Sequence, residues 1–356
     1  MPSINMRSSA DTVKGQGVGS CYCEQVRLVQ EGLPGFDVSV NVPGRFDIVH
    51  YHTINLNYYF ERLFSRMTLP GKRPTVGICY VHFLPETLED SLSMPFLMKK
   101  IFYKYVLAFY NSMDYLVTVN PFFVDKIREC GITKPRVTCI PNFVSAKEFF
   151  PVHTAQKNSY RRRYNIPEDK FVVLGVGQLQ TRKGVIDFCE TAARCPDTHF
   201  IWAGDFSFGK MSRGYDEIKR LRDSKPENVT FLGIVARSDM PAVYNMSDLM
   251  FLPSFDELFP MAILEALCCK KPVLVRDLPL YDNILFGNCM TGGDPESFAR
   301  QIRMVSGNPQ SYNIWSEKAW QCHKMYTEEA ALKQWTEFYN DAYRFANVAF
   351  KRKVIV

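Results

Sequence analysis

The segment FDELFPMAILEAL, residues 255–267, carries two carboxylates with seven residues between them. Glu257 lies in an acidic turn and Glu265 in the apolar helix that follows. Pro260 opens that helix, where a missing N–H costs nothing. The first-turn N–H groups of Met261 and Ala262 then make an end that suits an anion or a hydroxyl. Helical side chains lean toward the N-terminus, so Glu265 is within reach of a ligand there. A purely structural reading has Glu257 steadying the helix start and Glu265 held in an ion pair, as a buried acid requires. A second group is VGQLQTRKG, residues 176–184, where Arg182 and Lys183 sit between a strand and a helix. Two cations at a helix start neutralise a diphosphate; the alternative is a solvated loop. A third is KGQGVGS, residues 14–20, in which Gly15, Gln16, Gly17, Val18 and Gly19 form either a phosphate- or sugar-approaching turn or a flexible loop. His82 ends the run TVGICYVH, at a strand end, where α/β sheets bind ligands. His50 and His52 alternate on one strand and point the same way. No third ligand at suitable spacing accompanies them, so a metal site is rejected. No Asp-x-Asp occurs, which argues against a metal-bound diphosphate and leaves the work to cations and helix ends.

These groups need elements that bring strand ends together. FVVLGVG (171–177), HFIWAG (199–204), NVTFLGIV (228–235), DLMFLPS (248–254) and KPVLVRD (271–277) read as strands, with helices between them. SINMRS, FDVSVNV (36–42), FDIVHYH (46–52), TVGICYVH (75–82), YLVTVN (115–120) and RVTCIPN (136–142) repeat the theme earlier. Strands alternating with helices predict parallel sheets covered on both faces. The polar, proline-containing stretch at 145–170 marks a boundary. The expected units are residues 1–160, residues 161–335 and a helical tail, 336–356, that crosses back to the first unit. Two such domains leave a cleft between them.

Composition narrows the class. Hydrophobic residues make up 46%, which excludes a disordered or collagen-like chain. No run of 18 apolar residues predicts a membrane span, and the N-terminus lacks the apolar core of a secretory signal. Eleven cysteines without a C-x-x-C pair fit reduced thiols and a cytoplasmic location. A charge of +6 is too mild to argue for nucleic acid. The stretch at 95–110 places Met98, Ile101, Phe102, Tyr105 and Phe109 on one arc about 100° wide, opposite Lys99, Lys100 and Lys104. Between residues 56 and 104, seven cations (Arg62, Arg66, Lys72, Arg73, Lys99, Lys100, Lys104) face four acids (Glu61, Glu86, Glu89, Asp90). Such helices either lie on an anionic bilayer or pack on a sheet.

Glu257 and Glu265, after a strand ending in Pro-Ser and before KPVLV, resemble the signature of retaining glycosyltransferases of family four. The resemblance covers nearly the whole chain. It implies the α/β GT-B fold, two Rossmann-like domains with parallel sheets facing a central cleft. It implies that Glu265 holds the ribose of a nucleotide sugar and that Glu257 contacts the transferred sugar. The N–H groups after Phe259, those of Met261 and Ala262, would bind sugar and phosphate. Gly177 and Gln178 open the donor-diphosphate loop with Arg182 and Lys183. The further strand-end loops GDFSFG (204–209) and FLGIV (231–235) have two readings on their residues alone: Gly204 and Gly209 let the backbone approach the donor while Gly233 and Ile234 flank the base, or these are ordinary turn glycines. His82 and the Gly15–Gly19 loop would line the acceptor side. No cofactor or metal is implied, and retention is commonly drawn as same-face attack assisted by the leaving phosphate. Two positions depart from the family: Pro260 stands where Gly is usual, and Gln178 where Arg is usual. Both fit a subgroup that the N-terminal text also resembles, in INMRSSADTVKGQGVGS, HYHTIN, YVHFLPETLEDS and FYKYVLAFYNSMDYLVTVNPFF: the diglycosyl-diacylglycerol synthases of Gram-positive bacteria. That likeness implies a UDP-hexose donor and monoglucosyl-diacylglycerol as acceptor, with the enzyme peripheral on the inner face of the cell membrane. The alternatives are synthesis of monoglucosyl-diacylglycerol itself or of a capsular or cell-wall polysaccharide.

Overall fold

The computed structural model describes residues 1–9, 17–66, 74–82, 84, 95–206, 209 and 213–354. The apolar runs form two parallel sheets. The first contains β1 (Ser3–Arg7), β2 (Asp37–Val40), β3 (Ile48–Tyr51), β4 (Val76–Tyr80), β5 (Tyr115–Thr118) and β6 (Arg136–Cys139), ordered β2-β1-β3-β4-β5-β6. The second contains β7 (Phe171–Val176), β8 (Thr198–Ala203), β9 (Val229–Gly233), β10 (Leu249–Leu252), β11 (Val273–Arg276) and β12 (Met290–Gly292), ordered β12-β11-β10-β7-β8-β9. Every residue of β3, β4, β10 and β11 is buried, as expected where helices cover both faces. β12 is an edge strand of three residues, too short to stand out as an apolar run.

The strand order reverses between β1 and β3 in one sheet and between β7 and β10 in the other. Reversal leaves a crevice beyond the carboxyl ends of those strands, which is where α/β sheets place ligands. Arg182 and Lys183 follow β7, Glu257 follows β10, and the Gly-rich segment follows β1. Topology therefore gathers the candidate groups before any side chain is considered.

With the first sheet run α1 (Gly17–Gly32), α2 (Leu56–Ser65), α3 (Phe96–Asn111) and α4 (Phe123–Glu129). The helices that follow are α5 (Thr154–Arg163), α6 (Val185–Ala193), α7 (Tyr215–Asp223), α8 (Met240–Met246), α9 (Met261–Cys268), α10 (Asp282–Leu285), α11 (Pro295–Ser306), α12 (Pro309–His323) and α13 (Glu328–Val354). The boundary expected at residue 160 falls inside α5. That helix belongs to the second half: buried Arg161 donates to the O of Met246, the last residue of α8, at 2.9 Å and pairs with Asp248 at 2.7 Å. The return element begins at Glu328, ahead of 336. Its Trp335 and Tyr339 pack beneath the first sheet, with Trp335 5.5 Å from the His50 ring and 5.7 Å from Tyr80. One apolar core then runs from β1–β6 through Phe143, Phe149 and Phe259 to α9 and α13.

Candidate active site

Two turns meet at the crevice of the second sheet. Arg182 and Lys183 lie in a short 3-10 turn, Thr181–Lys183. Gly184 follows at φ +70°, and a Cβ there would stand 2.3 Å from Pro253 O. Only glycine lets this turn rest on the end of β10. Phe255 N donates to Arg182 O at 2.8 Å and fixes the contact. Lys183 Nζ is then ion-paired with Glu257 Oε1, while Arg182 Nη1 stands 3.8 Å from Oε2 and donates to Asp256 O. Glu257 is buried. Burial opposes its charge, but Lys183 and then Arg182 outweigh burial and hold its pKa below the usual value. Arg182 Nε, Gln180 Oε1 and the Tyr281 hydroxyl are buried without a hydrogen-bond partner. Buried polar atoms are normally paired, so this corner has unused hydrogen-bonding capacity. Gln178 is engaged locally: its Oε1 accepts from Gln180 Nε2 at 2.8 Å.

The neighbouring strand ends are packed equally tightly. A Cβ on Gly204 would meet Gly177 O at 2.0 Å, so the loops after β7 and β8 touch backbone to backbone. Gly204 N donates to Gly233 O at 2.8 Å, and Ile234 is exposed just beyond. Pro260 is the extended residue before α9, with ψ 130°, so the helix begins at Met261, one residue later than the sequence suggests. Glu265 is buried and paired: Arg237 Nη1 bonds its Oε1, and Tyr244 OH donates to Oε2 at 2.6 Å. Arg237 is the partner that the burial of Glu265 demands, supplied from 28 residues away.

The first half closes on this corner through two residues that sequence reasoning did not single out. Asn120 Nδ2 donates to Leu258 O at 2.9 Å and Leu280 O at 3.0 Å. Asn142 Nδ2 donates to Phe259 O at 3.0 Å, while its Oδ1 accepts from Tyr80 OH at 3.1 Å. Both end strand-like runs, YLVTVN and RVTCIPN, and a polar residue at a strand end was the available signal. His82 stacks on Tyr80 with centroids 4.6 Å apart, and its Nε2 lies 3.4 Å from His52 Nδ1. Burial lowers the pKa of His82 and His50 to about 3, so both imidazoles are neutral at neutral pH. Of the Gly-rich segment, Gly17, Val18 and Gly19 form the first turn of α1 rather than a loop, and Gly15 and Gln16 lie outside the described residues.

The expected apolar arc of α3 divides. Phe109 is buried, Phe102 and Tyr105 are half-buried, and the Tyr105 hydroxyl donates to Ile54 O. Met98 and Ile101 instead face outward with Leu97. On α2, Leu56, Phe60 and Phe64 are also exposed, at 62%, 55% and 69%. Lys100 and Lys104 are exposed, and Lys99 is half-exposed. Arg62, counted from sequence among the surface cations, is 1% exposed: it bonds Ser112 O, Thr75 O and Asp114 and pins α2 to the sheet. Lys72, Arg73, Glu86, Glu89 and Asp90 lie outside the described residues. Among the described residues, no helix is long and apolar enough to cross a membrane.

Known proteins agree with this architecture. Residues 39–148 match the family model "Glycosyltransferase Family 4", and residues 156–321 match "Glycosyl transferases group 1". The chain is 42% identical, over 94% of its length and 88% of the relative's, to alpha-galactosylglucosyldiacylglycerol synthase of Streptococcus pneumoniae. It is 25% identical, over 85% of its length and 87% of the relative's, to processive diacylglycerol alpha-glucosyltransferase of Acholeplasma laidlawii. HepE of Anabaena, solved with UDP and glucose, shares the fold, with a TM-score of 0.77 at 15% identity over 96% of this chain and 100% of that one. The two sheets, the crevice that joins their strand ends, and the extent of these matches place the chain in one family: it belongs to the family-4 glycosyltransferases, enzymes of the GT-B fold.

Proposed function

We propose that the chain transfers glucose or galactose from a UDP-sugar to monoglucosyl-diacylglycerol, with retention, to give a diglycosyl-diacylglycerol that anchors lipoteichoic acid. The observation that carries this reading is the 42% identity over 94% of the chain with the pneumococcal synthase. The corner formed by Arg182, Lys183 and Glu257 supports it, because it offers two cations beside a buried carboxylate at a crevice mouth. Arg182 and Lys183 stabilise the departing diphosphate, Glu257 orients the hexose and Glu265 takes the ribose hydroxyls. The bond from the anomeric carbon to the diphosphate breaks, a bond to the acceptor oxygen forms on the same face, and the hydroxyl proton passes to the leaving phosphate. Fixed positive charge replaces a divalent ion in this scheme. His82, neutral, lines the acceptor side as a hydrogen-bonding group.

The acceptor is a lipid, and the exposed face of α2 and α3 suits its surroundings. Phe60, Phe64, Leu97 and Ile101 enter the interface, while Lys100 and Lys104 meet anionic headgroups. In this reading the enzyme works on the inner leaflet as a peripheral protein. The test offers purified protein UDP-glucose or UDP-galactose with vesicles containing diacylglycerol or monoglucosyl-diacylglycerol, and in parallel a soluble glucoside. Product mass and linkage are read. A disaccharide lipid is expected from the glycolipid alone. Product from diacylglycerol itself would favour the first-sugar activity named for the Acholeplasma relative. Equal transfer to the soluble glucoside, or turnover abolished by chelator, would overturn the reading.

A further inference from the structure

Arg237 opens the 3-10 turn Arg237–Asp239 after β9, at the edge of the donor side. One guanidinium serves both halves of the molecule. Its Nη1 bonds Glu265 Oε1, and its Nη2 bonds Glu24 Oε1 at 2.9 Å and stands 3.8 Å from Glu148 Oε2. Glu24 lies in α1 of the first half and is also 3.3 Å from Arg27, which pairs with Glu328 at the start of α13. Glu24 and Glu265 are both buried. An ionised carboxylate accepts about four hydrogen bonds. Arg237 and Tyr244 take one on each oxygen of Glu265, so one site on each oxygen is left, which suits the two hydroxyls of a vicinal diol. Arginine, with donors in a rigid fork, can hold two carboxylates at once in fixed geometry.

We propose that Arg237 is a positioning residue that aims the Glu265 carboxylate at the donor ribose and anchors it, through Glu24, to the N-terminal half. The proposal rests on the reading of Glu265 as the ribose ligand. Ribose recognition is then shared between halves: the carboxylate is held in register only while α1 is docked against α9.

The test is calorimetric binding of UDP and of 2′-deoxy-UDP to the full chain. Removing one hydroxyl that bonds a charged group should weaken wild-type binding about tenfold. Arg237→Ala should lower that discrimination at least about threefold, since a misaimed carboxylate cannot tell the two ligands apart. Glu24→Gln, which leaves the Glu265 contact intact and removes only the anchor's charge, should lower it in the same direction. The double variant should go no lower than Arg237→Ala alone. A merely structural role would change melting temperature and both affinities together, leaving their ratio untouched. Absence of discrimination in the wild type would remove the reading of Glu265 and the proposal with it. Discrimination in the wild type that survives in Arg237→Ala overturns the positioning role alone. Discrimination that survives in Glu24→Gln overturns the link between halves, and this variant decides the matter if Arg237→Ala does not fold.

Discussion

In the proposed reaction, the Lys183 ammonium serves both a buried carboxylate and the incoming diphosphate. Glu257 holds it in the structure described, and Arg182, 3.8 Å from the same carboxylate, is the second cation. Lys183→Ala should therefore do two separable things. Turnover should fall on the order of 10²–10³-fold, the usual cost of losing a charge-stabilising group. Stability should fall by about 3 kcal/mol, because Glu257 is left buried and poorly paired. Adding Glu257→Gln to Lys183→Ala should restore much of the stability, read as the urea midpoint, and none of the turnover. Recovery of turnover in the double variant would contradict the assignment of Lys183 to the diphosphate.

Two elements carry predictions of their own. The ends of β3 and β4 stack His50, His52, Tyr80 and His82 in one ladder closed by Tyr339 OH at 2.8 Å from His50 Nδ1. Burial lowers all three histidine pKa values from 6.5, those of His50 and His82 to about 3. The unfolded chain then binds protons first on acidification. Stability should be complete above pH 6.5 and decline as pH falls toward 3, by about 1 kcal/mol per histidine at pH 5.5. Urea titrations at pH 7.5 and 5.5 measure this, and equal midpoints would contradict neutral, buried imidazoles. On α2 and α3 the exposed apolar face should govern membrane partition. Phe64→Asp with Ile101→Asp should weaken binding to anionic vesicles about tenfold or more, with stability within about 0.5 kcal/mol of wild type. Unchanged partition in sedimentation assays would move the membrane face elsewhere.

The whole molecule depends on a junction in which strand-end asparagines of one half hold carbonyls of the other. Asn142 bonds Phe259 O, two residues from Glu257, and accepts from Tyr80 beside His82. Asn142→Ala should destabilise the fold by about 1–3 kcal/mol by leaving buried partners unmet. It should also raise KM for the UDP-sugar several-fold, since the turn bearing Glu257 loses its support. Steady-state kinetics across donor concentrations, beside a melting curve, separate these effects. A lowered melting point with KM unchanged would confine Asn142 to structure.

The strands of both sheets were legible because a parallel strand buried on both faces must be a nearly continuous apolar run. The carboxylate pair and the Arg-Lys turn were legible because strand-to-helix turns are where such sheets do chemistry. What the sequence determined by itself was thus the two-sheet class, most strand positions and the residue types at the cleft. Tertiary structure alone decided who partners whom. Lys183 meets Glu257 because Gly184 lets one turn rest on Pro253, Arg237 reaches Glu265 and Glu24 from a third segment, and Asn120 and Asn142 cross between halves. It also decided that Arg62 is buried and that the apolar arc of α3 is split between core and exterior. Periodicity records how a helix alternates along its own axis, and says nothing of what lies against each face; that depends on contacts between residues distant in the chain.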